Sequence, residues 1–109
     1  MLEPLLGSKN AERVLIFVLV REEGYAREIA RFFGADADSI QKQLVKYECG
    51  GVLVSRAVGR ARVYSLNPRY PFLKQLKALL EKALVFYSDE ERQRLRFDRR
   101  RPRRRGKPL

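Results

Sequence analysis

Near the start of the chain, apolar positions recur at helical spacing. In residues 8–21, Ala11, Val14, Leu15, Val18 and Leu19 fall three and four apart, which places them on one face of an α-helix. Ser8 or Asn10 can cap the segment, and Glu12 sits early, where the helix dipole favours a carboxylate. The body from Arg13 to Val20 is nevertheless apolar almost all round. Its Val and Ile content would also suit a strand, but length, caps and the absence of Gly favour a helix. Such a helix needs cover on several faces. The domain core is one cover, and a partner subunit is the expected other.

Glu22-Glu23-Gly24 reads as a turn. Residues 25–33 form a short helix with Ala26, Ile29, Ala30 and Phe33 inward and Arg27, Glu28 and Arg31 outward. Gly34 ends it, because glycine takes the left-handed conformation at a helix C-terminus without steric cost. Asp36 or Asp38 caps a helix over residues 37–48. Ile40, Leu44 and Tyr47 form its inner face; Ser39, Gln41, Lys42, Val45 and Lys46 form its outer one. After Gly50-Gly51, the runs 52–57 and 61–66 flank a glycine turn and predict a β-hairpin.

Asn67-Pro68 closes the hairpin, and Pro71 suits the first turn of a last long helix over residues 70–87. Leu73, Leu76, Leu80, Ala83 and Tyr87 carry its stripe, widened on one side by Phe72, Leu79 and Phe86. Ser88-Asp89-Glu90-Glu91 has capping-box spacing and allows a short further helix through Leu95.

Charge changes the picture. The chain of 109 residues has a net charge of +11, from 24 Lys and Arg against 13 Asp and Glu. A small protein this basic meets a polyanion. Residues 88–109 hold ten basic and four acidic residues, so a fifth of the chain carries +6 of that excess. From Arg99 onward the sequence is nearly all arginine, which repels itself and buries nothing. The expected organisation is therefore a domain over residues 1–87 and a largely disordered basic tail over 88–109.

The same composition excludes chemistry. There is no His, so imidazole acid–base catalysis and His-ligated metals are out. Cys49 is the only cysteine, which rules out an intrachain disulfide and fits a reducing cytoplasm; it is expected as a small buried residue. Neither a nucleophile–base pair nor a phosphate-binding glycine loop is present, so no enzyme and no cofactor are expected. The longest apolar run, Val14 to Val20, is too short to span a bilayer, and the N-terminus has no signal-peptide pattern.

Helix, helix, turn, helix, hairpin, helix is the order of a winged helix-turn-helix domain, mainly α with a β-hairpin wing. The stretches Glu28-Ile29-Ala30-Arg31-Phe32-Phe33-Gly34, Ser39-Ile40-Gln41-Lys42-Gln43-Leu44, Gly51-Val52-Leu53-Val54 and Gly59-Arg60-Ala61-Arg62-Val63-Tyr64-Ser65-Leu66 resemble the ArsR-like winged-helix transcription regulators of bacteria and archaea. The flanks Leu5-Leu6-Gly7-Ser8-Lys9 and Leu66-Asn67-Pro68-Arg69-Tyr70-Pro71-Phe72 are similar to winged-helix domains associated with nucleotidyltransferases. No paired aspartates follow Gly7-Ser8, so the resemblance implies a stand-alone regulator; lacking a Cys/His cluster, the chain does not fit a metal sensor.

The resemblance implies dimers built from the first and last helices. The expected seam is Val14, Phe17, Val18, Leu73, Leu76, Leu80 and Leu84. Double-stranded DNA is the expected partner, with Ser39, Gln41, Lys42 and Lys46 reading bases. Arg56, Arg60 and Arg62 on the wing, and Arg27 and Arg31 on the preceding helix, are expected to meet phosphates or a minor groove. The expected function is thus sequence-specific binding by a homodimeric transcription regulator, a repressor. The competing reading is a protein or RNA interaction module that uses the winged surface and the Arg-rich tail. No small-molecule effector can be read from the sequence.

Overall fold

The N-terminal apolar helix is the axis around which the rest of the chain packs. The computed structural model describes residues 1–99, with side chains through residue 96. A single turn, α1 (Glu3–Leu6), precedes α2 (Lys9–Arg21). Next come α3 (Ala26–Phe33), α4 (Ala37–Cys49), the strands β1 (Leu53–Val58) and β2 (Ala61–Leu66), α5 (Leu73–Val85) and α6 (Asp89–Arg99). Together they form a winged helix-turn-helix.

Local chemistry sets the boundaries. The Ser8 side chain accepts from the Ala11 amide at 3.1 Å and opens α2. Gly34, at φ 66°, closes α3. Asp36 then caps α4, accepting from both the amide and the hydroxyl of Ser39. Residues 71–72 form a turn, so Pro71 lies ahead of α5 rather than in its first turn. The antiparallel pairing Leu53↔Leu66 through Val58↔Ala61 leaves Gly59 and Arg60 as a two-residue hairpin turn, with Gly59 at φ 61°.

Five consecutive residues of α2, Val14 to Val18, are buried, so α2 is enclosed on all sides. Phe17 packs edge-to-face against Phe32 and Phe33, at centroid distances of 5.7 and 6.5 Å. Ile29, Ile40, Leu44, Leu53, Tyr64 and Leu80 complete the core. The second cover that α2 requires is supplied within the chain, by α5 and α6.

This corrects two expectations. The ordered domain does not stop at residue 87: α6 continues to Arg99 and buries Leu95 to 1% exposure against the core. Residues 100–109, the remainder of the expected tail, lie outside the described residues. Val14, Phe17, Val18 and Leu80 are at most 1% exposed within the protomer, so they have no surface to offer a partner.

Two buried charges hold the shell to α2. Glu12 is 4% exposed and accepts from the Leu2 amide at 2.8 Å, the N-terminal ammonium at 3.2 Å and the Tyr87 hydroxyl at 2.6 Å. Burial alone would raise the Glu12 pKa, but these hydrogen bonds outweigh it and hold the carboxyl below the ordinary glutamate range. At the other end of α2, Arg21 donates to the carbonyls of Leu95 and Arg94 and stacks on Phe17 and Phe32. Since Tyr87 meets Glu12 and Leu95 meets Arg21, α6 runs alongside α2 in the same direction.

Gly24 joins the core to the wing. It exchanges both backbone hydrogen bonds with Tyr64, at 3.0 and 2.8 Å. A Cβ at this position would lie 2.7 Å from the Phe17 ring. Gly24→Ala is therefore expected to cost about 1–3 kcal/mol through overpacking. Urea unfolding would show it as a lower midpoint with an unchanged slope, and an unaltered midpoint would show that Phe17 yields freely.

Candidate nucleic-acid interface

The inner side of α4, Ile40 and Leu44, is buried. Its outward face carries Asp38, Lys42, Val45 and Cys49, all exposed. Cys49 is thus a surface residue, against expectation. Lys42 lies 3.6 Å from Asp38 across one helical turn, with both side chains largely in solvent. Surface pairs of this kind are weak, which leaves Lys42 able to exchange its partner.

The expected base readers separate by position. Ser39 is half-buried at the start of α4, and its hydroxyl is held by Asp36. Gln41 is also half-buried, and its amide nitrogen donates to the Tyr64 hydroxyl at 3.1 Å. It braces α4 against the wing. Lys46 is exposed on the opposite flank, where it reaches the Leu6 carbonyl at 3.3 Å and stacks on Tyr47. Burial pushes the Tyr47 phenol up to about 12, so it stays neutral.

The wing arginines also divide. Arg62 is opposite Ala57 and shares a face with Ser55 and Tyr64, the face turned toward α4. Its guanidinium donates to the Ser55 hydroxyl at 2.9 Å, and Ser55 donates in turn to Glu48 of α4 at 2.5 Å. Arg56 is opposite Val63 on the other face and pairs with Glu23 of the α2–α3 turn at 3.0 Å. Arg60 is exposed at the tip. The three arginines therefore do not form one cluster: Arg62 belongs with α4, Arg60 stands at the tip, and Arg56 lies on the other face.

Arg27 and Arg31 lie one turn apart on the exposed side of α3 and form no ion pair among the described residues. Glu48 and Ser55 were not singled out in the sequence, although with Tyr64 they join the wing to the helix. One signal existed. Gln41 and Glu48 are seven apart, two turns along one flank of α4, and both reach the wing.

Of the expected seam, Leu73, Leu76 and Leu84 remain partly exposed on α5. Phe72, at 62%, and Phe86, at 61%, stand clear of the surface, with half-buried Leu79 midway between them in sequence.

The chain is similar in structure to Lactococcus lactis ZitR, solved in the apo form of a variant lacking one cysteine and one histidine. The superposition has a TM-score of 0.54 at 19% identity and covers 78% of this chain and 73% of that one. The likeness supports the winged-helix fold. Comparisons with models of known families and with curated proteins give no match. Among the described residues, no helix is long and apolar enough to cross a membrane.

Proposed function

We propose that this protein binds double-stranded DNA in a sequence-specific manner and regulates transcription as a homodimeric repressor in the cytoplasm. The observation that carries the reading is the chain from Arg62 through Ser55 to Glu48, which fixes an arginine-bearing wing beside the outward face of α4. A recognition helix in a major groove with a basic wing along the adjoining backbone is a recurrent way to grip a duplex. Lys42, on the open face, is the base reader, through guanine O6 and N7. Ser39 and Lys46 flank it, Gln41 positions it, and Arg60 and Arg62 take phosphates or a minor groove. Arg27 and Arg31 neutralise flanking phosphates, as expected of the first helix of the motif.

The dimer reading rests on the exposed side of α5. Phe72, Leu79 and Phe86 recur every seven residues along one side of α5, across the buried Leu80 and Ala83 from Leu73 and Leu84 of the expected seam. An exposed apolar line of this kind, Phe72, Leu79 and Phe86, suits a helix that packs against its symmetry mate.

Selection of genomic fragments with the purified full-length chain tests the reading. A dimer is expected to enrich a two-fold symmetric motif with half-sites about 34–36 Å apart. Enrichment of a single asymmetric half-site would remove the dimer. Weak, equal retention of unrelated DNA and RNA would favour the interaction-module reading instead.

A further inference from the structure

Val45 stands in the middle of the outward face of α4 and has no role in the contacts described so far. It is 42% exposed. One helical turn separates it from Lys42 on one side and from Cys49 on the other, both exposed. One turn also separates it from Gln41 and from Glu48, the two residues of α4 whose side chains reach the wing. Val45 is therefore set between Lys42 and the hydrogen-bond chain that holds Arg62. Among the described residues it is not part of the hydrophobic core. Valine is also a poorer helix former than alanine or lysine, so folding alone does not account for it at an open position.

We propose that Val45 is a specificity-determining residue that packs against the 5-methyl group of a thymine in the major groove, beside the guanine taken by Lys42. The proposal rests on the DNA-binding reading and deepens it. Three features of the face carry it. Its charges cancel, because Lys42 is matched by Asp38 at 3.6 Å. A face without net charge has little pull on phosphates and suits base edges, while Arg27, Arg31 and Arg62 serve the backbone. Its side chains are short. Asp38, Val45 and Cys49 leave Lys42 as the one long side chain along this line, so the helix can approach the floor of a groove wide enough to admit it. Its centre is apolar, and the thymine methyl is the one apolar group that base pairs display in the major groove. With α4 lying along the groove, Val45 is about 4.5 Å beyond Lys42 on the helix axis. That is close to the ~3.4 Å step between stacked bases, which makes the thymine the immediate neighbour of the guanine.

The test uses the full-length chain, as wild type and as Val45→Ala, on the duplex taken from the genomic selection. Each thymine of the site is replaced in turn by deoxyuridine, which pairs identically and lacks the methyl group. For the wild type, replacing one thymine per half-site, adjacent to a guanine, is expected to weaken binding about three- to fivefold, the worth of one buried methyl group. Val45→Ala is expected to bind the thymine and deoxyuridine duplexes equally at that position. Substitution of the neighbouring guanine should still weaken the variant as much as it weakens the wild type. Alanine is the better helix former, so the variant is expected to keep the DNA-free melting temperature to within a few degrees. A selected site with no thymine beside a guanine, or a wild type indifferent to every replacement, would overturn the methyl contact. A variant that keeps the full preference for thymine would overturn the assignment to Val45. Failure of the wild type to select any site would instead overturn the DNA-binding reading on which both depend.

Discussion

Replacing Glu12 with alanine is expected to lower the free energy of unfolding by about 2–5 kcal/mol. The half-buried Leu2 amide and Tyr87 hydroxyl would lose their acceptor, and each donor left unpaired away from water costs about 1–3 kcal/mol. For a domain of this size that corresponds to a melting temperature roughly 10–30 °C lower. Thermal unfolding followed by circular dichroism reads the effect directly. A fall of only a few degrees would mean that α1 and the α5–α6 junction do not depend on this carboxylate.

Glu12→Gln separates charge from shape. The glutamine oxygen can still accept from Leu2, and its amide nitrogen can donate to the Tyr87 oxygen. The sign of the pH dependence follows from the lowered pKa of the native Glu12. Its contribution is complete above the ordinary glutamate value of about 4.3 and is lost as pH falls through the lower folded value. The glutamine variant is expected to lack that part of the acid limb, so its stability relative to wild type improves on acidification. Tyr87 does not titrate in the same range, because burial and the neighbouring Glu12 push its pKa up.

The second large effect concerns DNA. Arg62→Ala is expected to weaken binding to a selected duplex by about 10–100-fold, the equivalent of 1–3 kcal/mol. Arg56→Ala should change it by about threefold or less, because that side chain lies on the far face of the wing and is engaged by Glu23. Fluorescence anisotropy at one fixed salt concentration makes the comparison, with melting temperatures to confirm that both variants fold. A larger loss for Arg56→Ala would mean that the duplex lies against the opposite face of the wing.

This contrast between two arginines of one hairpin was within reach of the sequence. Once Gly59 and Arg60 are assigned to a two-residue turn, residue 57 must face 62 and residue 56 must face 63. Residues 56 and 62 then fall on opposite faces by simple alternation. The boundaries of α2, α3 and α4 were legible because their signals are local: Ser8 and Asp36 as caps, Gly34 as a stop, and apolar spacing between them. The short α1 escaped because one turn has no periodicity to detect.

The missed extent of α6 has a different cause. Its sequence is charged almost throughout, and Leu95 is its one buried apolar anchor among the described side chains. What secures the helix is a set of guanidinium contacts to Phe32 and to backbone carbonyls, between groups more than sixty positions apart. A windowed reading of hydrophobicity is blind to such pairs. The expectation that Val14, Phe17, Val18 and Leu80 face a partner follows from the same blindness. An α2 with apolar residues on every side calls for a second layer, and the pattern does not say whether that layer belongs to the same chain.

The paired backbone bonds between Gly24 and Tyr64 fasten β2 midway along its length, whereas Gly59 and Arg60 extend well past that point. Mechanically the hairpin is a cantilever, clamped midway and exposed at its tip. On the DNA-binding reading proposed above, a lever of that kind lets its tip follow the local width of a groove, while the Ser55 and Glu48 hydrogen bonds keep Arg62 in register with α4. Stiffening the tip would narrow the range of duplex shapes tolerated without altering the sequence that is read.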